Sequence, residues 1–241
     1  MARRWWRALV PFPRRSTLRH WFPGFETRNI VHLIGRTRAD WLVDVGANEG
    51  QYVRRLRSGG LALPALSVEP LADMHARLSA EAARDPLWHL APPMALGASL
   101  GRIEITRYAD ASLSSALAPH PRAVGSPALA VAEREEVALA PLDVVMAEHA
   151  PSASRPFVKL DVQGYEMAVM AGASETLARA AGVQIELSLT PGYADEPSYL
   201  ETLGALDSRG FVPVYCAPVT QRRRLGPWLQ MDAVLMRRED V

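Results

Sequence analysis

Two groups of residues have the types and spacing to do chemistry. The first is the run 42–52, LVDVGANEGQY, where an apolar stretch ends at Asp44 and a turn containing Gly46 and Gly50 leads into a helical pattern. Turns of this kind hold nucleotide-like ligands at a helix N-terminus. A dinucleotide turn needs three glycines, G-x-G-x-x-G, so that pyrophosphate can reach the backbone. Here the middle glycine is missing, and Glu49 sets a carboxylate where a diphosphate would lie. A phosphate loop closing in Gly-Lys-Ser/Thr is also absent. An acidic turn suits a cationic ligand, and S-adenosylmethionine carries a sulfonium and an ammonium group but no phosphate. A second apolar run ends in Glu69 of SVEP, twenty-five residues after Asp44. An acid at that place can accept both ribose hydroxyls of an adenosine.

The second group is carboxylate-rich. Asp161 ends the apolar run FVKLD, Glu186 lies in VQIEL, and Glu166 opens the helical pattern between them. In a strand Lys159 points the same way as Asp161, while Val158 and Leu160 point into a helix layer. Three readings fit this group. Asp161 or Glu186 can act as a base for a hydroxyl acceptor. They can instead ligate a divalent cation such as magnesium that binds a diol. Or Lys159 forms a structural pair with a carboxylate, with Glu166 placed near a helix N-terminus.

These residues need elements to position them. Ile30, Leu33, Ile34 and Trp41 recur at roughly helical spacing, which predicts a helix before the strand WLVDV. A helix over 48–58 stops at Gly59 and Gly60. The strand ALSVEP and a helix over 71–85 follow, with Leu71, Met74, Leu78 and Ala82 along one face. Pro92 and Pro93 allow only a short strand near 94–96, and 101–109 alternates like an edge strand. Residues 112–133, rich in Ser, Pro and Ala, read as a long loop whose first part, SLSSAL, can cover the cleft, with Ser114 and Ser115 offering hydrogen bonds to cofactor or acceptor. Residues 135–150 give a strand and a short helix, 165–180 a helix, 183–189 a strand and 198–210 a helix. The runs 211–216 and 229–238 close the chain as two strands able to pair antiparallel. Strand alternating with helix predicts an α/β fold whose mostly parallel sheet carries helices on both faces. Ligands in such sheets bind beyond the carboxyl ends of the strands, where the first strand places residues 44–46.

The segments VDVGANEGQY, SVEP, Leu142-Asp143, FVKLDVQGYEMAVMAGA, VQIELS and LQMDAVLMRR together resemble the successive motifs of FkbM-type S-adenosylmethionine-dependent methyltransferases. The resemblance runs from about Leu42 to about Arg237, and KLDVQGYE followed by GA is its most specific part. It implies a class I methyltransferase (Rossmann-like) fold, with a seven-stranded, mostly parallel sheet and an antiparallel last strand. It implies that Asp44, Gly46, Ala47, Asn48, Gly50, Glu69 and Pro70 hold the cofactor. Asp161, with Lys159 and Glu186, would then sit at the acceptor, a hydroxyl of a sugar, glycan or natural product. The alternative is a non-catalytic binding module on the same fold; its mark would be a damaged cofactor loop, and this loop is intact. A nicotinamide oxidoreductase is disfavoured by the missing glycine.

Composition narrows the partners. The chain has 241 residues and a formal net charge of +1, so no global field steers it to nucleic acid. The base-methylating pattern of Asn or Asp, Pro-Pro and an aromatic is replaced by DVQGY, which also makes nucleic acid a poor acceptor. The basic stretch 221–228, QRRRLGPW, reads as a solvated hairpin. Cys216, the single cysteine, excludes an internal disulfide framework, fits a reducing, cytoplasmic setting and reads as a buried small hydrophobe. Of six histidines only His120, in the long loop, is placed to serve as a base. Residues 1–24 form a separate basic arm with Arg3, Arg4, Arg7, Arg14, Arg15 and Arg19, three tryptophans and no acid. Such an arm can contact an anionic membrane surface, such as the inner face of a membrane, or pack on its own domain, residues 25–241.

Overall fold

The computed structural model describes residues 25–121, 127–221 and 228–241. The basic arm and the Arg222–Arg224 part of the hairpin lie outside them. Helix α1 (Phe25–Arg36) precedes strand β1 (Trp41–Val45), α2 (Gln51–Ser58), β2 (Ala65–Val68), α3 (Ala72–Ala82) and β3 (Trp88–Leu90). Strands β4 (Ala95–Leu96), β5 (Gly101–Tyr108) and β6 (Val131–Ala140) follow, then α4 (Leu142–His149) and β7 (Pro156–Leu160). Helices α5 (Glu166–Ala171) and α6 (Ser174–Arg179), strand β8 (Gly182–Ser188), α7 (Tyr199–Asp207), β9 (Phe211–Gln221) and β10 (Trp228–Arg237) complete the order.

The main sheet has seven strands in the order β3-β2-β1-β7-β8-β10-β9. β10 runs antiparallel to both β8 and β9, and the other pairings are parallel. All five residues of β1 and all five of β7 are buried, as expected for parallel strands covered on both faces. Alternation divides them. Val43, Val45, Val158 and Leu160 pack with α4 to α7, whereas Leu42 and Phe157 pack with Ile30, Ile34, Val53 and Leu56 of α1 and α2. Asp44 and Lys159, each two residues further along its strand, share the face of Leu42 and Phe157. The strand order reverses between β1 and β7, so the crevice at their carboxyl ends is the expected ligand position.

The structure departs from the sequence expectations in five places. Trp88–Leu90 forms a strand ahead of Pro92 and Pro93, extending the main sheet beyond β2. The pattern over 165–180 is two helices, because Gly172 passes so close to Gly97 O that a Cβ would stand 2.0 Å from it. Strands β4, β6 and β5 form a second, three-stranded sheet inserted between β3 and α4. The segment 111–121 is tied down, with Thr106 and Ser115 exchanging backbone hydrogen bonds and His120 N donating to Gly192 O. Cys216 is exposed rather than buried, since it lies on β9, the edge strand of the sheet.

Candidate active site

The β1–α2 turn is built around two requirements. Gly46 has φ +72°, and a Cβ there would stand 1.9 Å from Asp161 O, so only glycine lets the turn pass over the end of β7. Gly46 N and Ala47 N both donate to Val68 O, which ties the turn to the end of β2. Asn48, at φ +49°, directs its backbone N–H at Glu69 Oε2, 2.8 Å away. Glu69 Oε1 accepts from Leu71 N at 3.0 Å. Each oxygen of that carboxylate therefore holds one backbone donor and keeps lone pairs for a ligand. Burial pushes the Glu69 carboxyl up to about 7.

Beneath the turn lies Lys159. Its Nζ is 3.2 Å from Asp44 Oδ1 and 3.4 Å from Asp161 Oδ2. It also donates to Gly46 O at 3.0 Å. Asp44 and Lys159 are direct partners across β1 and β7, which is why their side chains meet. Burial opposes the lysine's charge, but Asp44 and Asp161 more than offset this and hold the ammonium above its usual range. Asp44 has no exposed surface, and neither of its oxygens has a well-aligned hydrogen bond. Full burial pulls its carboxyl upward, yet with an ammonium at contact distance it is the anion of the pair.

Above these residues is a cavity of about 290 Å³. The β1–α2 turn reaches it through Gly46 and Asn48, the end of β2 through Glu69 and Pro70, and the ends of β7 and β8 through Asp161 and Glu186. Ala47, Gly50, Asp44 and Lys159 do not line it; they support the residues that do. Leu71, Met74, Ile103 and Ile105 give it an apolar wall, partly from the inserted sheet. The roof is residues 111–114 and Ala116. The sequence offered the loop 112–117 as a cover for the cleft, and most of this roof comes from it; the wall was missed, since nothing in the pattern of β5 shows where its apolar face will dock.

At the β7–β8 end Gln163 joins the two carboxylates. Its Nε2 donates to Asp161 Oδ1 at 2.9 Å and to Glu186 Oε1 at 3.3 Å. Gln230 Nε2 donates to the same Glu186 oxygen at 2.7 Å. Burial and the nearby Asp161 and Asp232 carboxylates push Glu186 up to about 9, so it is a neutral acid near pH 7. Glu166 faces the other way, its Oε1 accepting from Val162 N at 3.0 Å and Gly164 N at 3.3 Å. It shapes the β7–α5 turn.

Two ligand types can be compared with this lining. Glu69, Asp161 and Glu186 are its carboxyl side chains, and no Lys, Arg or His lines it among the described residues. That suits a cationic ligand and disfavours a diphosphate. A divalent cation would have to displace the Gln163 amide, whose donors face the carboxylate oxygens it would need. No group of three or more His, Cys, Asp or Glu among the described residues could hold a metal ion.

Among solved structures, the chain is similar to the methyltransferase domain of bacterial CtHen1 at 9% identity, covering 89% of this chain and 98% of that one with a TM-score of 0.48. It is similar to magnesium protoporphyrin IX methyltransferase from Synechocystis PCC 6803 at 9% identity, covering 92% and 81% with a TM-score of 0.47. A SAM-dependent methyltransferase from Aquifex aeolicus gives 11% identity, 93% and 98% coverage and a TM-score of 0.45. Likenesses this distant say nothing about individual residues or the acceptor. A search of curated proteins finds no match. The model of the methyltransferase FkbM domain matches residues 44–213, from Asp44 near the end of β1 into β9. With that match over most of its length, and with the strand order of the class I methyltransferase sheet, the chain belongs to the FkbM family of methyltransferases.

Proposed function

We propose that this protein transfers a methyl group from S-adenosylmethionine to a hydroxyl oxygen of a sugar, glycan or natural-product acceptor. The observation carrying this reading is a single cavity that joins the Asn48–Glu69 pair to Asp161 and Glu186. One end offers an adenosine its ribose contacts, and the other offers an acceptor a base.

Asp44, Gly46, Ala47, Asn48, Gly50, Glu69 and Pro70 fit the cofactor as a group. Gly46 leaves room for close backbone approach, and Glu69 is held by Asn48 N and Leu71 N with capacity left for two hydroxyls. The Ser114 hydroxyl, buried in the roof with no partner in the protein, gives a further reason to expect a polar ligand. S-adenosylmethionine supplies an electrophilic methyl group carried on a sulfonium.

Asp161 accepts the proton of the acceptor hydroxyl as its oxygen forms the new bond to the methyl carbon and the sulfur–carbon bond breaks. S-adenosylhomocysteine and a methyl ether leave, and the proton on Asp161 returns to solvent. Lys159 is a positioning residue: its ammonium lies against Asp161 Oδ2 and holds that carboxylate at the end of β7. Glu186, neutral near pH 7, accepts hydrogen bonds at Oε1 and can donate one from its protonated oxygen. The acidic lining also favours an uncharged acceptor over a phosphorylated one near the reacting atoms.

The test is transfer of labelled methyl from S-adenosylmethionine to neutral glycosides and hydroxylated natural products, by wild type and Asp161→Asn. Ether products formed by wild type and lost in the variant support the reading. Methylation of an amine or carbon in place of a hydroxyl contradicts it.

A further inference from the structure

Charge is segregated between the two faces of the main sheet. Helices α1, α2 and α3, which cover one face, carry six arginines against three acids. Helices α4 to α7, which cover the other, carry six acids against one arginine, Arg179. The sequence is as uneven: residues 1–60 hold 12 arginines and four acids, in a chain whose formal net charge is +1.

The positive face is least neutralised along α1. Arg28, His32 and Arg36 stand four residues apart on its solvent side, and Arg38 is exposed just beyond its end. Ile30 and Ile34, on the other side of the helix, are buried with Leu42, Val53 and Leu56, which fixes the direction in which the arginines point. The exposed arginines Arg54, Arg77, Arg102 and Arg134 each meet a carboxylate, of Glu81, Glu49, Glu136 and Glu104 respectively. Among the described residues, Arg28, Arg36 and Arg38 meet none.

Residues 1–24 lead directly into this helix, and they interleave Trp5, Trp6, Leu9, Val10 and Phe12 with six arginines and no acid. Such a segment answers both parts of a bilayer surface: bulky apolar side chains suit the acyl boundary, and guanidinium groups suit the phosphates. A nucleic acid would use the arginines but offers no apolar layer for Leu9, Val10 and Phe12.

We propose that α1, with the segment that precedes it, is a docking face for an anionic lipid bilayer. The arginines of both lie against lipid phosphates, the apolar residues of the arm enter the acyl boundary, and the acidic layer α4 to α7 faces away. Charge separation across the sheet turns the protein to this orientation in the field of the membrane. No residue of α1 lines the cavity, so the docking face and the reaction site are distinct.

The experiment is flotation of the full chain with phosphatidylcholine vesicles and with vesicles that also contain phosphatidylglycerol. The protein floats with the anionic vesicles and not with the neutral ones, and raising salt toward about 0.5 M weakens the binding. Arg28→Gln, Arg36→Gln and Arg38→Gln together weaken it by about 10- to 100-fold, since each arginine at an anionic surface contributes roughly fivefold. This triple variant keeps the wild-type melting temperature, because all three side chains are exposed, so lost binding is not lost folding. Trp5→Ser with Trp6→Ser lowers the quenching of tryptophan fluorescence by brominated lipid. No flotation, equal binding to the two kinds of vesicle, or unchanged binding by the triple variant overturns the docking face. So does tighter binding to a duplex oligonucleotide than to anionic vesicles, which would assign the face to nucleic acid.

Discussion

Lys159 Nζ lies 3.2 Å from Asp44 Oδ1, and Lys159 is the one lysine among the 27 basic residues of the chain. A compact ammonium with three donors fits where it must meet Asp44, Asp161 and Gly46 O at once. A planar guanidinium on a longer stem would not. The pair joins β1 to β7 beneath the β1–α2 turn, so it couples the stability of the fold to the shape of the cavity.

Lys159→Met should therefore destabilise the protein by about 3–5 kcal/mol, the usual result of leaving one member of a buried pair uncompensated. Combining it with Asp44→Asn should cost less than the sum of the two single changes. Urea unfolding of the two singles and the double checks this; additive losses would mean the groups are not coupled.

Asp161 and Glu186 should respond differently to the same kind of substitution. Asp161→Asn removes the proposed base and should lower turnover by about 10²–10⁴-fold with little change in cofactor affinity. Glu186→Gln replaces a neutral acid with a neutral amide of the same shape, so it should keep most activity at pH 7. Measured rates in the reverse order would move the base to Glu186.

The carboxyl groups of the site also set a pH dependence. Glu69 and Glu166 are held up to about 7 and Glu186 to about 9, chiefly by burial. A glutamate in the unfolded chain releases its proton near pH 4–4.5, so between that value and pH 9 the native state binds more protons. Stability of the ligand-free protein should accordingly fall as pH rises from about 4.5 to about 9. Melting temperatures across this range check the sign, and Glu186→Gln should flatten the segment between about 7 and 9. A rise in melting temperature over the same range would mean that these groups are not held protonated in the folded protein.

Glu69→Gln should weaken S-adenosylhomocysteine binding nearly as much as Glu69→Ala, roughly 10- to 100-fold. Both carboxylate oxygens accept backbone donors, from Asn48 and Leu71, so an amide NH₂ would face one of those N–H groups whichever way it turned. Calorimetry on the two variants checks this, and a Gln variant with wild-type affinity would remove Glu69 from the cofactor set.

The order of elements and the ends of β1, β2 and β7 were legible because apolar runs stopped at Asp44, Glu69 and Asp161, where a parallel sheet presents its ligand edge. The side shared by Lys159 and Asp161 also followed from strand alternation. The Asp44–Lys159 contact did not, since it depends on the register of two strands far apart in the chain. The inserted sheet stayed hidden because β4 is two residues long and β6 is mostly exposed, leaving little periodic signal. The role of Gln163 could not be read at all: its amide gains meaning only from two carboxylates on neighbouring strands.

The central claim is that the cavity binds S-adenosylmethionine for methyl transfer. Calorimetric titration of the purified protein with S-adenosylmethionine, S-adenosylhomocysteine and NADH tests it most directly. Micromolar binding of the first two and none of NADH is the predicted result. Binding of NADH, or of none of the three, would contradict the account.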